Sequence, residues 1–441
     1  MIATRPLRLL LAAALVAGGL SSAQAQNWPN WRGPNHNGST SVTGLPDTFS
    51  KEENVSWVVD LPGAGAGTPV VWDDAIFVSC TNEEESGIIA VKINAKSGEI
   101  EWTHKFGEGI RQDDRSDYAG PSAVTDGTHA WFFTGKGDLA CYDFNGRQVW
   151  HRNIQSDYGP FAFGWTFSTT PLVHKGTLYL QVLQRDVAVD GKGFTDKENE
   201  SYLLALDPET GAEKWRQIRP SEAVMESREA FTSPVPVTHN GREEIVVVGG
   251  DCLTGHDPAT GEELWRWGTW NPGKEPFWRL VPSPVYGEGA ILACGPKGQP
   301  VYAIKAGGKG TLLDTAKMWV SEGKEVTSDV PTPLFYDGYF YILNGRNRFL
   351  TCVHPTTGDV VWSERVDAKT KLESSPTASD GKIYFISHLG ETFVYKAGRE
   401  PGLIHQTMMG EDQSVHVRAS IVPANGALFI RTDTKLYCVK K

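Results

Sequence analysis

Several stretches of the sequence combine arginine, carboxylate and aromatic side chains shortly before a Pro or Ser/Thr-Pro step. An arginine beside an aromatic ring can bind an acidic group through paired hydrogen bonds and can stack a flat ring or a sugar. We therefore take these residues as candidates for ligand binding. They are Arg115, Asp117, Tyr118, Trp165, Arg228, Glu229, Trp278, Arg279, Asp329, Glu373, His416 and Arg418.

Ion pairing within this set is the alternative to ligand binding. Arg228 would then neutralise Glu229 or Asp329, and Arg418 would neutralise Glu373, because charged groups often only satisfy one another. The number of charged residues in a narrow region of the molecule favours recognition over a wholly structural role.

Motifs of other common chemistries are missing from the sequence. It holds no Walker loop, no Gly-x-Gly-x-x-Gly, no His-Glu-x-x-His and no Gly-x-Ser-x-Gly. Its 11 histidines are dispersed, so no zinc site is predicted. The 6 cysteines lack clustered spacing and are predicted to be buried thiols, with Cys80–Cys438 the one disulfide left open. The Trp-rich loops leave hydrolysis or lyase chemistry on carbohydrate as a further possibility.

Composition limits the class of partner. The chain has 441 residues, with 42 Lys and Arg against 53 Asp and Glu, for a formal net charge of −11. Nucleic acid is excluded as the main partner, since phosphate binding needs a basic face. The 47 glycines and 15 tryptophans indicate many tight turns, each closed by a large apolar side chain.

The first 25 residues have the pattern of a cleaved signal peptide. Arg5 and Arg8 precede an apolar run over 9–20, and 23–25 fit a small-x-small cleavage site. The run is too short for a transmembrane span. No cysteine follows it closely, so a lipid anchor is not predicted. We expect a periplasmic or secreted protein.

A repeated motif predicts the architecture. Its clearest copy runs from Ala205 to Trp215, with an Asp-x-x-Thr-Gly turn before the Trp, and similar turns end at Gly261 and Gly358. Repeats of this length with one Trp each are typical of propellers and solenoids. Strand-opening steps and docking side chains both give eight copies, with Ile404 in the eighth docking position. The docking tryptophans are Trp57, Trp102, Trp150, Trp215, Trp265, Trp319 and Trp362.

The two ends of the repeat series complement each other. Trp57 precedes the first step, whereas the last copy, Ser420 to Val439, stops before a fourth strand. We therefore expect residues 55–61 to complete the last sheet and close the ring. The prediction is an all-β, eight-bladed propeller of four-stranded antiparallel blades over 55–441, preceded by an N-terminal extension over 26–54.

The Ala205–Trp215 motif, Ala-x-Asp-x-x-Thr-Gly-x-x-x-Trp, resembles the tryptophan-docking motif of PQQ-repeat propellers. That family includes quinoprotein dehydrogenases and the BamB-type proteins of outer-membrane assembly. The resemblance covers Val55 to Lys441, and the motif builds blades without touching a ligand. The Asn-Trp-Pro-Asn-Trp-Arg-Gly-Pro opening at 27–34 is similar to that of exported members, and its two Trp are expected to pack over the ring.

The resemblance implies two functions. One is a binding or scaffold module whose partner is a small molecule, a carbohydrate or an envelope protein. The alternative is a PQQ-dependent oxidoreductase acting on alcohols or sugars, with calcium beside the quinone. The adjacent Cys-Cys pair typical of those dehydrogenases is missing here. No cofactor, metal ligand or catalytic residue is therefore assigned.

Blade topology predicts where the candidate residues meet. In an antiparallel four-stranded blade, the turn between the second and third strands shares a face with the connection to the next blade. The candidate residues lie in those connections, and the insertion at 185–200 falls on the same face. They are thus expected to converge on a funnel at the propeller axis.

Overall fold

The computed structural model describes residues 26–111, 116–268, 270–412, 414 and 416–441. Eight antiparallel sheets follow one another around a central axis, which confirms the eight-bladed propeller. The predicted signal peptide and Arg115 lie outside the described residues and stay predictions.

The blades are numbered in chain order, each from its inner to its outer strand. Strands in blades 1 to 3 are β2 Val70–Trp72, β3 Ala75–Asn82, β4 Gly87–Asn94 and β5 Ile100–Glu108; β6 Val124–Thr125, β7 His129–Phe133, β8 Asp138–Asp143 and β9 Gln148–Asn153; and β10 Leu172–His174, β11 Thr177–Val182, β12 Tyr202–Leu206 and β13 Glu213–Ile218. A short helix, α1 Ile154–Tyr158, follows β9.

Blades 4 and 5 are joined by an extra strand. Their strands are β14 Val235–His239, β15 Arg242–Gly249, β16 Cys252–His256 and β17 Glu263–Trp267; and β18 Val285–Gly287, β19 Ala290–Cys294, β20 Val301–Lys305 and β22 Lys317–Val320. Between β20 and β22, β21 Gly310–Thr311 pairs in parallel with β17, so blade 4 has five strands rather than the predicted four.

Blades 6 to 8 complete the ring. Their strands are β23 Leu334–Tyr336, β24 Tyr339–Asn344, β25 Phe349–Val353 and β26 Val360–Arg365; β27 Thr377–Ser379, β28 Lys382–Ile386, β29 Glu391–Lys396 and β30 Leu403–Met408; and β31 Val422–Ala424, β32 Ala427–Arg431, β33 Lys435–Val439 and β1 Val55–Asp60. Because β1 pairs antiparallel with β33, the N-terminal strand closes the ring as predicted.

The docking tryptophans join neighbouring blades. Trp150 Nε1 donates to Pro208 O at 2.8 Å in the turn of the next blade, and Trp319 Nε1 donates to Pro355 O at 2.8 Å. The turn glycine lies flat against the ring: a Cβ on Gly211 would meet Trp150 at 2.8 Å. Equivalent bonds are made by Trp57, Trp102, Trp215 and Trp362.

Trp265 departs from this pattern. Its Nε1 donates to Glu244 Oε2 at 2.6 Å within its own blade, because the segment of blade 5 that contains β21 replaces the Thr-Gly turn. The Trp265 indole is buried, and Glu244 supplies the acceptor that a buried N–H needs.

A belt of hydroxyl groups fixes the inner strands. The backbone N–H of the Ser or Thr that precedes the inner strand of one blade donates to the matching hydroxyl of the next blade. Seven such bonds of 2.8–3.1 Å occur among the described residues. In blade 2 the belt residue is Ser122, one position after the predicted Pro121 step. The residues of the belt are Thr68, Ser122, Thr170, Ser233, Ser283, Thr332, Ser375 and Ser420.

The segment 26–54 crosses the face that carries the docking turns. Trp28 pairs with Val71 of blade 1 and is fully buried, while Asn37 O and Gly38 O accept bonds from blades 6 and 7. The Arg32 guanidinium is buried there and donates to backbone carbonyls of both of those blades. The segment thus spans the axis opposite the predicted funnel.

All six cysteines are buried free thiols. The Cys80–Cys438 disulfide that the sequence left open is therefore not formed. Cys141, Cys352 and Cys438 lie in apolar cores, as the repeat pattern predicts for small buried residues at these positions. Cys252 differs, because its Sγ accepts from the Arg219 guanidinium at 3.2 Å.

Candidate functional site

A cavity of about 540 Å³ lies on the face opposite the docking turns. It is surrounded by the connections between blades and by the turns between second and third strands. We call it the central cavity. Four predicted binding residues line it: Trp165, Arg279, Asp329 and Glu373. Its size lies within the range of small-molecule sites, about 300–1,000 Å³.

One wall is built from an ion pair under an aromatic ring. Glu226 accepts hydrogen bonds from the Arg279 guanidinium and, at 3.2 Å, from Trp165 Nε1. Arg279 Cζ lies 5.3 Å from the centroid of the Trp165 ring, within reach of a cation–π interaction. The charge of Arg279 is therefore neutralised, and the half-buried indole is held in place.

Glu373 forms the opposite wall. Its Oε2 lies 3.1 Å from Arg418 Nε and 2.8 Å from His388 Nε2. Burial by itself would raise the pKa of Glu373, but the imidazole and the guanidinium outweigh it and lower the pKa to about 2. The Arg418–Glu373 pair expected from the sequence is present, so both groups are structural supports of the wall.

Three basic side chains of the central cavity lack a carboxylate partner. Lys297, Arg346 and Lys371 are exposed, and none of them forms a salt bridge within the part of the chain that the structure describes. Asp329 accepts the backbone N–H of Lys297 at 2.7 Å rather than a side-chain cation. These three cations outnumber Asp329, the carboxylate of the wall without a cationic partner among the described residues, so the cavity carries net positive charge.

A second space opens beside the central cavity. This side groove, of about 290 Å³, lies between blades 2 and 3, and Trp165 and Thr166 line both spaces. The predicted residue Tyr118 lines the side groove rather than the central cavity. The groove wall includes Phe163 and Phe167, whose rings stack with centroids 4.4 Å apart.

Glu229 and Arg228 stabilise the connection that precedes blade 4. Glu229 is fully buried and accepts from Arg185 and from Gly164 N, the latter at 3.0 Å. Arg228 instead bonds Asp186 at 2.9 Å in the insertion. The expected pairing of Arg228 with Glu229 or Asp329 is therefore wrong, because the insertion supplies a closer carboxylate.

Three further predicted residues also make local contacts. Asp117 is buried and accepts the backbone N–H of Ala66 at 3.1 Å. Trp278 packs against the core of blades 3 to 5, and its backbone N–H donates to Ser227 Oγ at 2.7 Å. His416 lies edge-on to His388, with ring centroids 6.2 Å apart, behind the wall formed by Glu373.

The sequence interpretation missed the unpaired cations. Lys297 and Arg346 lie in turns between second and third strands, and Lys371 lies in the connection to blade 7. The topology rule already placed such turns on this face. Examining every turn of this kind, rather than the long insertion alone, would have found Lys297 and Arg346.

The residues present do not fit a calcium-bound quinone. Within the described ranges, no group of three or more His, Cys, Asp and Glu side chains is placed to hold a metal ion. Glu226 and Glu373 are each bound to an arginine, and Asp329 accepts a backbone N–H. Calcium needs six to eight oxygen ligands, which these carboxylates are not arranged to supply.

Solved structures with a similar fold include both classes suggested by the repeat motif. BamB from Moraxella catarrhalis is 13% identical, with a TM-score of 0.59 over 88% of this chain and 99% of that chain. Quinohemoprotein alcohol dehydrogenase from Comamonas testosteroni is 15% identical, with a TM-score of 0.65 over 95% and 81%. A europium-containing methanol dehydrogenase is 11% identical, with a TM-score of 0.65 over 90% and 87%. These likenesses establish the fold.

Sequence comparisons identify the family. No curated protein sequence gives a significant match. No helix among the described residues combines the length and hydropathy of a membrane span. The family model described as "Outer membrane protein assembly factor BamB" matches residues 49–180, 85–319 and 199–441. Because these matches cover most of the chain, it belongs to this family of PQQ-repeat β-propellers.

Proposed function

We propose that the protein is a recognition module that binds an acidic ligand, or an acidic group of a partner protein, in the central cavity. The observation that carries this proposal is the set of three cations without carboxylate partners beside a half-buried indole. Lys297, Arg346 and Lys371 face one cavity, in a protein whose net charge is −11.

Uncompensated like charges in a concave site are unfavourable without a counter-ion, and they raise the local concentration of anions. Charge-assisted hydrogen bonds from Lys or Arg to carboxylate or sulfate are roughly twice as strong as neutral ones. The Trp165 ring adds a flat apolar face held by Glu226 and Arg279. Together these groups suit a ligand that combines negative charge with a flat surface.

Calorimetric titration of the purified protein with digalacturonate, PQQ and hexaglutamate at low salt tests this function. We expect at least one of these anions to bind one-to-one, and Lys371→Ala and Arg346→Ala each to weaken it about 3- to 10-fold. Lys305→Ala, at the end of β20 on the opposite face, is the matched control and should leave affinity unchanged. Absence of binding by all three probes at about 1 mM would refute the proposal.

A PQQ-dependent oxidoreductase is the second candidate, and the fold likeness to the quinohemoprotein alcohol dehydrogenase favours it. PQQ is flat and polyanionic, so the cavity cations and Trp165 would hold it, and the bound quinone would supply oxidation of an alcohol or sugar. The carboxylates do not fit calcium, however. PQQ binding strengthened by Ca²⁺, with turnover of an alcohol, would favour this candidate over recognition alone.

We also propose export to the periplasm or the exterior, supported by the charge and hydropathy pattern of residues 1–25. The BamB family description accords with an envelope partner. N-terminal sequencing of the protein from an export-competent host should find Gln26 first, whereas an uncleaved Met1 would contradict export.

A further inference from the structure

The central cavity and the side groove adjoin each other. Trp165 and Thr166 belong to the walls of both, so a ligand bound against the indole lies at the boundary of the two spaces. The central cavity already has room for a small molecule, about 540 Å³. The groove adds about 290 Å³ that a compact ligand would not fill.

The side groove continues the positive charge of the central cavity. Lys136 is exposed in the turn between β7 and β8 and forms no salt bridge within the described part of the chain. Arg111 and Lys192 line the groove as well, and both have interaction partners of their own. Lys136 is therefore the groove cation that a negatively charged ligand can bind.

The remaining groups favour a sugar over a peptide. Asp329 has no cationic side-chain partner among the described residues and can accept hydrogen bonds from sugar hydroxyls, which a peptide of Asp and Glu lacks. The indole of Trp165 presents a flat face at the junction, which suits the flat apolar face of a pyranose ring. Ser168 adds a hydroxyl to the cavity wall.

We propose that the ligand is an anionic oligosaccharide, with acidic groups on successive sugars, that extends from the central cavity past Trp165 into the side groove between blades 2 and 3. This inference rests on the proposed function and adds the chemical class and the direction of the ligand. Lys371 belongs to the cavity part of the site and Lys136 to the groove part.

Affinity as a function of ligand length tests the proposal. Digalacturonate and hexagalacturonate are titrated into wild type, Lys136→Ala, Lys371→Ala and the control Lys305→Ala at about 50 mM salt. We expect the hexamer to bind at least 10-fold more tightly than the dimer, since it adds charge-assisted contacts. Lys136→Ala should weaken only the hexamer, about 3- to 10-fold, and Lys371→Ala should weaken both. Neutral maltohexaose should not bind.

The outcomes separate this inference from the proposed function. Equal affinities of dimer and hexamer would overturn the extended site and leave an acidic ligand in the central cavity. The same would follow if Lys136→Ala left the affinity for the hexamer unchanged. Binding of hexaglutamate but not of either uronide would overturn the sugar class. Failure of every anion would overturn both proposals. Melting temperatures of the variants show that loss of affinity is not loss of folding.

Discussion

At the residue scale, Glu373 shows how a wall of the site is stabilised. Its carboxylate is about 10% exposed and is flanked by Arg418 and His388. Removing one member of a buried pair leaves an uncompensated charge, which is more costly than losing an exposed ion pair. The ionised form of Glu373 therefore stabilises this wall of the cavity.

Glu373→Gln is expected to lose stability in a pH-dependent way. Because its pKa falls from 4.5 to about 2 on folding, the ionised carboxylate stabilises the native state above about pH 4.5, and this contribution is lost as pH falls towards 2. We expect the variant to be about 2–3 kcal/mol less stable than wild type at pH 7 and nearly equal to it near pH 2. Urea unfolding followed by circular dichroism at several pH values measures the difference.

The exposed Glu84→Gln is the matched control and should show no such pH dependence. If the difference between Glu373→Gln and wild type stayed constant from pH 7 to pH 2, the ion pairs with Arg418 and His388 would not be its cause.

At the element scale, one glycine of the docking turn meets two structural requirements. Gly211 has φ +71°, a left-handed conformation, and it also lies against the Trp150 ring. The same contact recurs where Gly98, Gly261 and Gly358 meet the ring of the preceding docking Trp. A turn that carries both constraints explains why Thr-Gly and Trp recur together in the sequence.

Gly211→Ala is expected to destabilise the protein more than Gly241→Ala. Gly241 has φ +78° but nothing within 4 Å of an added Cβ, so its substitution costs only the left-handed strain of about 1–2 kcal/mol. At Gly211 the new methyl would also displace Trp150, which adds about 1–3 kcal/mol. Urea midpoints of the two variants compare the costs directly. Equal midpoints would mean that the contact between Gly211 and the Trp150 ring contributes nothing to stability.

At the scale of the whole molecule, the two faces differ in what closes them. The segment 26–54 spans one face, fixed by the buried Arg32, and the other face leaves the central cavity open to a ligand. Three cations without carboxylate partners among the described residues line that cavity, although the chain carries more acidic than basic residues. The open face therefore offers a basic site to an anion.

Arg32→Met is expected to loosen the segment that spans the axis. The substitution keeps apolar bulk but leaves the carbonyls of Pro333 and Pro376 without their donor, a loss of about 2–4 kcal/mol. Melting temperature and the rate of proteolytic cleavage within 26–54 report the change. The exposed Arg399→Met serves as control, and an unchanged cleavage rate in Arg32→Met would show that Arg32 does not hold the segment.

The sequence by itself determined the propeller, because blade formation depends on local, repeated chemistry. The turn from Asp207 to Gly211 and the Trp that follows it have counterparts in most blades, and short alternating strands recur in all of them. Their spacing therefore indicates the blade number and the closing strand. The same rules failed at β21, where a non-repeating segment pairs with the outer edge of blade 4.

Only the tertiary structure decided which charged residues form the site. Trp165, Arg279, Asp329 and Glu373 meet in the central cavity, whereas Arg228 and Glu229 are bound by the insertion. Pairing depends on distances between side chains from different blades, and no periodicity in the sequence records those distances. The cations that remain without carboxylate partners, and hence the charge of the cavity, emerge only when the eight blades are placed around one axis.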